Sequence, residues 1–272
     1  MKKTLMMLGG LGNQMFQYAM VLALRNRGFL VSVDTSMYSY IHMHNGYELK
    51  RVFGIDENVV NKGTLHVFWL RFLNKYKPQK LCLTDANHYD GSIFEMNLKY
   101  VIGYWQDERY FKNVENLIRE KFVFQNIDDE NLNLAVEMLS CNSVSLHIRR
   151  GDYASSNMSL LNDDYYKNAV SYIKRKVESP MFYIFSDDKY EAERIAEKCK
   201  ITYQLIDYNR GNDSYKDMYL MSQCKHNVIA NSSFSWWGAW LNANAGKLVI
   251  APEVWIERKP EFKPQCEDWI II

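Results

Sequence analysis

No sign of charge dominates this chain. Its 33 Lys and Arg face 32 Asp and Glu, for a formal net charge of +1. A surface that binds nucleic acid broadly needs a basic field, so that class is excluded and any basic site must be local. Cysteine is scarce. Cys82, Cys141, Cys199, Cys224 and Cys266 are odd in number, scattered, and without CxxC spacing. The pattern excludes a disulfide framework and a zinc site, and it reads as reduced thiols in a cytosolic protein. Long apolar runs are missing as well. The opening MKKTLMMLGG has two lysines but only LMML before two glycines, whereas a secretory signal needs roughly 7–15 apolar residues. Nothing approaches the roughly 20 apolar residues of a membrane span. These absences predict a soluble, cytoplasmic protein with no leader and no anchor. Internal repeats and low-complexity segments are also missing.

What is present is apolar mass. Hydrophobic residues make up 47% of 272 positions, enough for one large core or two ordinary ones. Aromatic residues reach 14%, which fits either large cores or sugar-stacking surfaces. The start reads strand TLMML, loop GGLGN, helix from Gln14 to Arg27, strand FLVSVD (29–34). Phe16, Ala19, Ala23 and Met15, Tyr18, Leu22 recur at helical spacing, and Gly28 suits the end of that helix. This is a βαβ unit with a glycine-rich turn. Residues 36–110 are irregular and aromatic, with a helix expected over 65–76 and a strand near 100–105. Helices are expected at 114–122 and, after a polar stretch at 125–133, through Met138. From there strands at 143–148, 181–186, 202–206, 227–230 and 247–251 alternate with helices at 163–177, 189–199, 214–224 and 236–244. The alternation predicts an α/β fold with a parallel sheet covered on both faces. Two domains are expected, 1–140 and 141–272.

Four stretches carry chemistry. In SVSLHIRRG, Val144, Leu146 and Ile148 alternate with Ser145, His147 and Arg149. One face is core, and the other brings a histidine and an arginine to a strand's carboxyl end, where open α/β sheets bind ligands. Arg149 and Arg150 have the fork geometry for phosphate oxygens. Asp152 is placed to brace a guanidinium. The alternative is a surface turn with an Arg–Asp pair. In ANSSFSWWGAWL (230–241), Ser232, Ser233 and Ser235 surround a helix start, a ready anion site. A single capping serine is the alternative. Trp236, Trp237 and Trp240 recur at helical spacing and are expected in the core. In FSDD (185–188), Asp187 and Asp188 suit a base, a ribose or a helix cap. Lys189 breaks the D-x-D spacing of metal-dependent sugar transferases. Finally, GGLGNQMFQYA (9–19) opens like a dinucleotide fingerprint, with Asp34 about 20 residues on as its acid. Met15 stands where that fingerprint wants a small residue, which weakens it.

Taken together, GGLGNQMFQYA, HIRRGDY (147–153) and NSSFSWWGAWL resemble the α-1,2-fucosyltransferase family, inverting enzymes that use GDP-fucose. GYWQDERYF (103–111) is similar to a fourth segment that often reads GYFQSEKYF, differing at Trp105, Asp107 and Arg109. The resemblance spans residues 9–241 in order. It implies a GT-B-type fold, two Rossmann-like lobes with parallel sheets facing a central cleft. The lobe from 141 would bind GDP-fucose, and the first lobe would face a galactose-terminated glycan. It places Arg149 on the β-phosphate with Arg150 beside it, and His147 near the nucleoside. Ser232, Ser233, Phe234 and Ser235 would lie around the pyrophosphate. Asp187 or Asp188 would meet guanine or ribose, and Gly12 and Asn13 the fucose and phosphate. With Arg149 and a helix start stabilising the leaving charge, no divalent metal or other cofactor is required. Asp34, Glu48, Asp107, Glu108 and Asp152 are the carboxylates near these segments, and none stands out as base; Asn13 orienting the nucleophile is an alternative.

The expected activity is transfer of L-fucose to the 2-hydroxyl of a terminal galactoside, in bacterial surface-polysaccharide (O-antigen) or oligosaccharide synthesis. Contact with the inner membrane face stays open. Three rivals remain: a fucosyltransferase of another linkage, an NAD-binding oxidoreductase built on residues 4–34, and a glycan-binding module without catalysis. NAD or GDP binding separates the second, and indifference to GDP marks the third.

Overall fold

Gly9 and Gly10 end the first strand and start the first helix, and they set the pattern for a chain built from strand–turn–helix units. The computed structural model describes residues 2–41, 44–57, 59–76, 81–84, 89–150 and 160–272. The chain divides between Gln125 and Asn126 into two units.

The first unit runs β1 (Lys2–Met6), α1 (Leu11–Asn26), β2 (Leu30–Asp34), α2 (Ser36–Tyr40), α3 (Leu49–Phe53), β3 (Val59–Val60), α4 (Gly63–Tyr76), β4 (Leu81–Thr84), β5 (Tyr100–Gly103) and α5 (Glu115–Lys121). Its strands form one parallel sheet in the order β3-β2-β1-β5-β4. Gly9 has φ +79°, a left-handed conformation in which a Cβ would lie 2.6 Å from the Asn13 amide, so only glycine fits there. α1 is buried almost all round; along Leu11–Leu24 only Asn13 is not buried. A helix apolar on every side belongs inside a core.

The second unit runs α6 (Asp129–Ser140), β6 (Ser143–Ile148), α7 (Asp163–Lys176), β7 (Met181–Ser186), α8 (Lys189–Cys199), β8 (Tyr203–Ile206), α9 (Tyr215–Gln223), β9 (His226–Val228), α10 (Ser233–Leu241), β10 (Val249–Ala251) and β11 (Ile270–Ile271). Its sheet is parallel throughout, in the order β11-β10-β9-β6-β7-β8. Helices cover both faces. Val144, Leu146, Ile148, Phe182 and Ile184 pack with Tyr166 and Ile173 of α7 and Ile195 of α8. Tyr183 and Phe185 alternate to the other face, against Leu134 and Met138 of α6 and Leu220 and Met221 of α9.

The division falls at 125/126, at the start of the polar stretch and ahead of 140/141, and α6 buries its apolar side against the second sheet. Two expectations are corrected. Gly12 and Asn13 lie in the first turn of α1 rather than in a loop. α10 begins at Ser233 rather than near 236, so Ser233 and Ser235 are helical.

Candidate active site

In the second sheet the chain moves from β6 to β7 and β8 on one side, then returns to β9 on the other. The carboxyl ends of β6 and β9 therefore flank a topological switch point, the place where open α/β sheets bind ligands. Three of the four sequence stretches converge there. The Arg150 backbone N–H donates to Asp187 Oδ1 at 2.9 Å. Arg149 Nε lies 3.3 Å from Asp187 Oδ2. The His147 ring sits 6.2 Å from the Phe234 ring, centroid to centroid, at the start of α10. Asp187, one residue beyond β7, thus holds the strand end that carries both arginines.

The remaining residues divide by role. Asp188 caps α8, accepting from the Glu191 N–H at 3.0 Å, so the cap reading applies to it. Arg150 is drawn into an ion network, with Nε 3.1 Å from Glu191 and a terminal nitrogen 3.9 Å from Asp163. Arg194 and Lys198 complete that network on Asp163 at 2.7 and 2.6 Å, and they hold its carboxyl well below the usual range. Arg150 therefore ties the end of β6 to α7 and α8. Ser232 is the N-cap of α10, accepting from the Phe234 N–H at 3.3 Å. The Ser235 hydroxyl turns back to the Ala230 and Ser232 carbonyls at 3.4 Å each. Ser233 and Phe234 are half-buried at the helix start. Asp152 lies outside the described residues.

His147 is buried, and its Nδ1 has no hydrogen-bond partner among the described residues. Burial first, and Arg149 second, push its pKa down to about 3, so the ring is neutral at physiological pH. The linkage sign follows. Its contribution to stability is complete above the ordinary imidazole value of 6.5 and is lost as pH falls toward about 3. Asp217, pushed up to about 7 by burial, acts in the opposite sense, losing stability as pH rises from 3.8 toward that value. Comparing variants isolates the histidine. As pH is lowered from about 7.5 to about 5, the urea midpoint of wild type should fall relative to that of His147→Gln. Parallel curves would contradict the assignment.

The first sheet has its own switch point, between β1 and β5. The Gln106 amide donates to Asn13 Oδ1 at 2.7 Å, joining the glycine-loop stretch to the segment after β5. Gln106 is not among the site residues expected from the sequence, although it is the glutamine that GYWQDERYF shares with GYFQSEKYF. Trp105 before it is fully buried with φ +55°. A bulky residue takes that strained conformation only where its surroundings demand it, and here it sets the direction of Gln106.

The polar residues of GGLGNQMFQYA are largely structural. The Gln14 amide donates to the Gly9 carbonyl at 3.1 Å and the Gly46 carbonyl at 2.8 Å, and its oxygen accepts from the Glu48 N–H at 2.8 Å. The Gln17 amide links the Leu8 and Gly103 carbonyls, both at 3.2 Å. Met15 is fully buried. Asp34 is buried too. It accepts from the Ser36 N–H at 2.8 Å and lies 3.2 Å from His66 Nε2. It offers no surface to a ribose, which removes the acid of the dinucleotide fingerprint. Among the other candidate bases, Glu48 is buried and paired with Arg51, Asp107 pairs with Arg109, and Glu108 lies 3.5 Å from Lys112.

Two parallel α/β units of this order define a fold shared with solved sugar transferases. The fucosyltransferase NodZ from Bradyrhizobium superposes with a TM-score of 0.52 at 12% identity, over 88% of this chain and 92% of its own. A NodZ α-1,6-fucosyltransferase soaked with GDP-fucose gives the same score over 89% and 93%. The architecture is thus of the GT-B type. The chain matches the model of Glycosyl transferase family 11 over residues 1–271, and it belongs to that family. An α-1,2-colitosyltransferase of Escherichia coli is 34% identical over 97% of this chain and 96% of its own. The O-antigen biosynthesis glycosyltransferase WbnK of Escherichia coli is 31% identical over 96% and 97%. The galactoside 2-α-L-fucosyltransferase Sec1 of Mus musculus is 24% identical over 98% and 73%. No helix among the described residues is long and apolar enough to cross a membrane.

Proposed function

We propose that this protein moves L-fucose from GDP-β-L-fucose to the 2-hydroxyl of a terminal galactoside, with inversion, in the synthesis of a surface polysaccharide at the cytoplasmic side of the cell. One observation carries the reading: Asp187 holds Arg149 at the switch point where α10 begins. Transfer breaks the bond between fucose C1 and the β-phosphate oxygen. The electron pair leaves with GDP, adding negative charge there. Arg149 stabilises that charge, together with the N–H groups at the start of α10. The Nε contact with Asp187 fixes the plane of the guanidinium, and a fork must be oriented to meet two oxygens. No metal is called on. The neutral His147 packs near Phe234 at the start of α10, where the nucleoside would lie. The acceptor oxygen forms the new bond to C1 from the opposite face and loses its proton to a base. In the first unit, Gln106 fixes the side chain of Asn13, the group assigned to the acceptor.

A 1,2 linkage appears in the names of both the colitosyl and the fucosyl relatives. The sugar differs, and the 34% identity to a colitosyltransferase favours a second reading with colitose as the transferred sugar. Purified protein incubated with GDP-fucose or GDP-colitose and a β-galactoside, in EDTA, separates them. Linkage analysis should find α-fucose on O2. Turnover of GDP-colitose alone would exchange the donor and keep the linkage. Turnover of neither would sink both.

Gln106→Leu removes the partner of Asn13 without enlarging the side chain. It should lower kcat about tenfold, the worth of one hydrogen bond lost in the transition state, with the melting temperature little changed. An unchanged kcat would leave Gln106 a structural residue only.

A further inference from the structure

The helix α4 leaves an apolar face uncovered. Leu65, Phe68, Trp69 and Phe72 are 84%, 53%, 49% and 60% exposed, whereas Val67 and Leu70 are buried at 1% and 2%. At about 100° per residue the four exposed side chains fall within an arc of roughly 100°, opposite the buried pair. Cations flank this arc on both sides. Arg71 and Lys75 lie along one edge, and the Arg71 guanidinium donates to the Tyr40 hydroxyl at 2.8 Å. Across the other edge, Lys62 and Lys99 sit over the Tyr100 ring at 5.8 and 5.9 Å. That ring packs edge-on against Trp69 at 6.2 Å. The segment 58–84 contains Lys62, Arg71, Lys75, Lys77 and Lys80 and no acidic residue, in a chain whose net charge is only +1.

An exposed Trp/Phe/Leu face between rows of Lys and Arg is the composition of helices that lie in the membrane interface. A protein partner would fit an apolar patch but does not call for a rim of one sign. We propose that α4 is a membrane-docking surface for an anionic lipid bilayer. It inserts Leu65, Phe68, Trp69 and Phe72 among the headgroups while Lys62, Arg71, Lys75 and Lys99 meet lipid phosphates. The site stands apart from the donor assignment. It would hold the enzyme beside acceptors carried on lipid.

The test is cosedimentation of the full chain with vesicles of phosphatidylglycerol and phosphatidylcholine, or of phosphatidylcholine alone. The wild type should pellet with the anionic vesicles, less so as salt is raised, and weakly with the neutral ones. Lys62→Glu with Arg71→Glu should weaken binding at least about tenfold, since each basic residue near such a surface contributes about fivefold. Leu65→Ser with Phe72→Ser should weaken it about tenfold through lost insertion, with turnover of a water-soluble acceptor unchanged. Should the serine pair fail to fold, the glutamate pair carries the test. Failure to pellet, equal binding to neutral vesicles, or wild-type affinity in both variants would overturn the proposal. A dimer in sedimentation velocity that Leu65→Ser dissolves would overturn it too, as a protein interface.

Discussion

Arg149→Ala is expected to leave under about 1% of wild-type turnover, because removing one donor aimed at a developing negative charge costs about 2.7–4 kcal/mol of barrier. The loss should appear in kcat as well as in kcat/KM, since the β-phosphate gains charge as the sugar leaves. Stability should change little. The side chain is partly exposed, and its 3.3 Å contact with Asp187 is a partly buried ion pair, so the change should stay near about 1 kcal/mol. Arg149→Lys keeps the charge but loses both the fork and the Nε contact, so it should fall between alanine and wild type. Single-turnover assays with GDP-fucose, beside thermal melts of each variant, measure this directly. A near-wild-type rate for the alanine variant would remove Arg149 from the chemistry.

Trp236→Ala is expected to destabilise the protein by about 3–5 kcal/mol, the cost of emptying a large aromatic site in a packed core. That is a large part of the roughly 5–15 kcal/mol that holds a domain folded. Trp236 is fully buried and lies 4.9, 6.3 and 5.3 Å, ring to ring, from Trp237, Trp240 and Trp269. Its indole N–H donates to the Pro264 carbonyl at 2.7 Å, so truncation also strands that acceptor. The cluster backs the helix whose first turn faces the candidate site. A sugar platform would present an open ring face, and this one has none. Urea unfolding of the variant should show a much lower midpoint. An unchanged midpoint with lost glycan binding would restore the platform reading.

The second unit was legible because its physics is local. Phe182 and Ile184 alternate with Tyr183 and Phe185, and helical periods fill the gaps, so β7 and the helices around it follow from spacing. Asp188 was legible as a cap by position alone. Asp187 was not, because its role depends on β6 and β7 pairing in parallel with Ile148 opposite Ser186. That register brings residues 149, 150 and 187 together, and no spacing within one strand shows it. The same holds for Arg150, whose partners Asp163 and Glu191 begin two different helices. In the first unit, residues 36–110 hide short elements that distant groups organise. Gln14 reaches 32 residues to Gly46 and 34 to Glu48, holding the turn before α3. Such elements have little periodicity of their own. Gln106 was hidden for a related reason, since its direction comes from the strained backbone of Trp105. The dinucleotide reading failed on burial. Asp34 ends its strand as the fingerprint asks, yet it is fully buried, with Oδ1 accepting from the Ser36 N–H.

The most direct measurement is titration calorimetry of the purified full chain with GDP in EDTA, with NAD as a parallel ligand and Arg149→Ala as the control. GDP should bind without a divalent metal, NAD should give no heat, and the variant should lose most of the affinity. Heat from NAD with silence toward GDP, or GDP binding only after a metal is restored, would contradict a phosphate site built from Arg149, Asp187 and the start of α10.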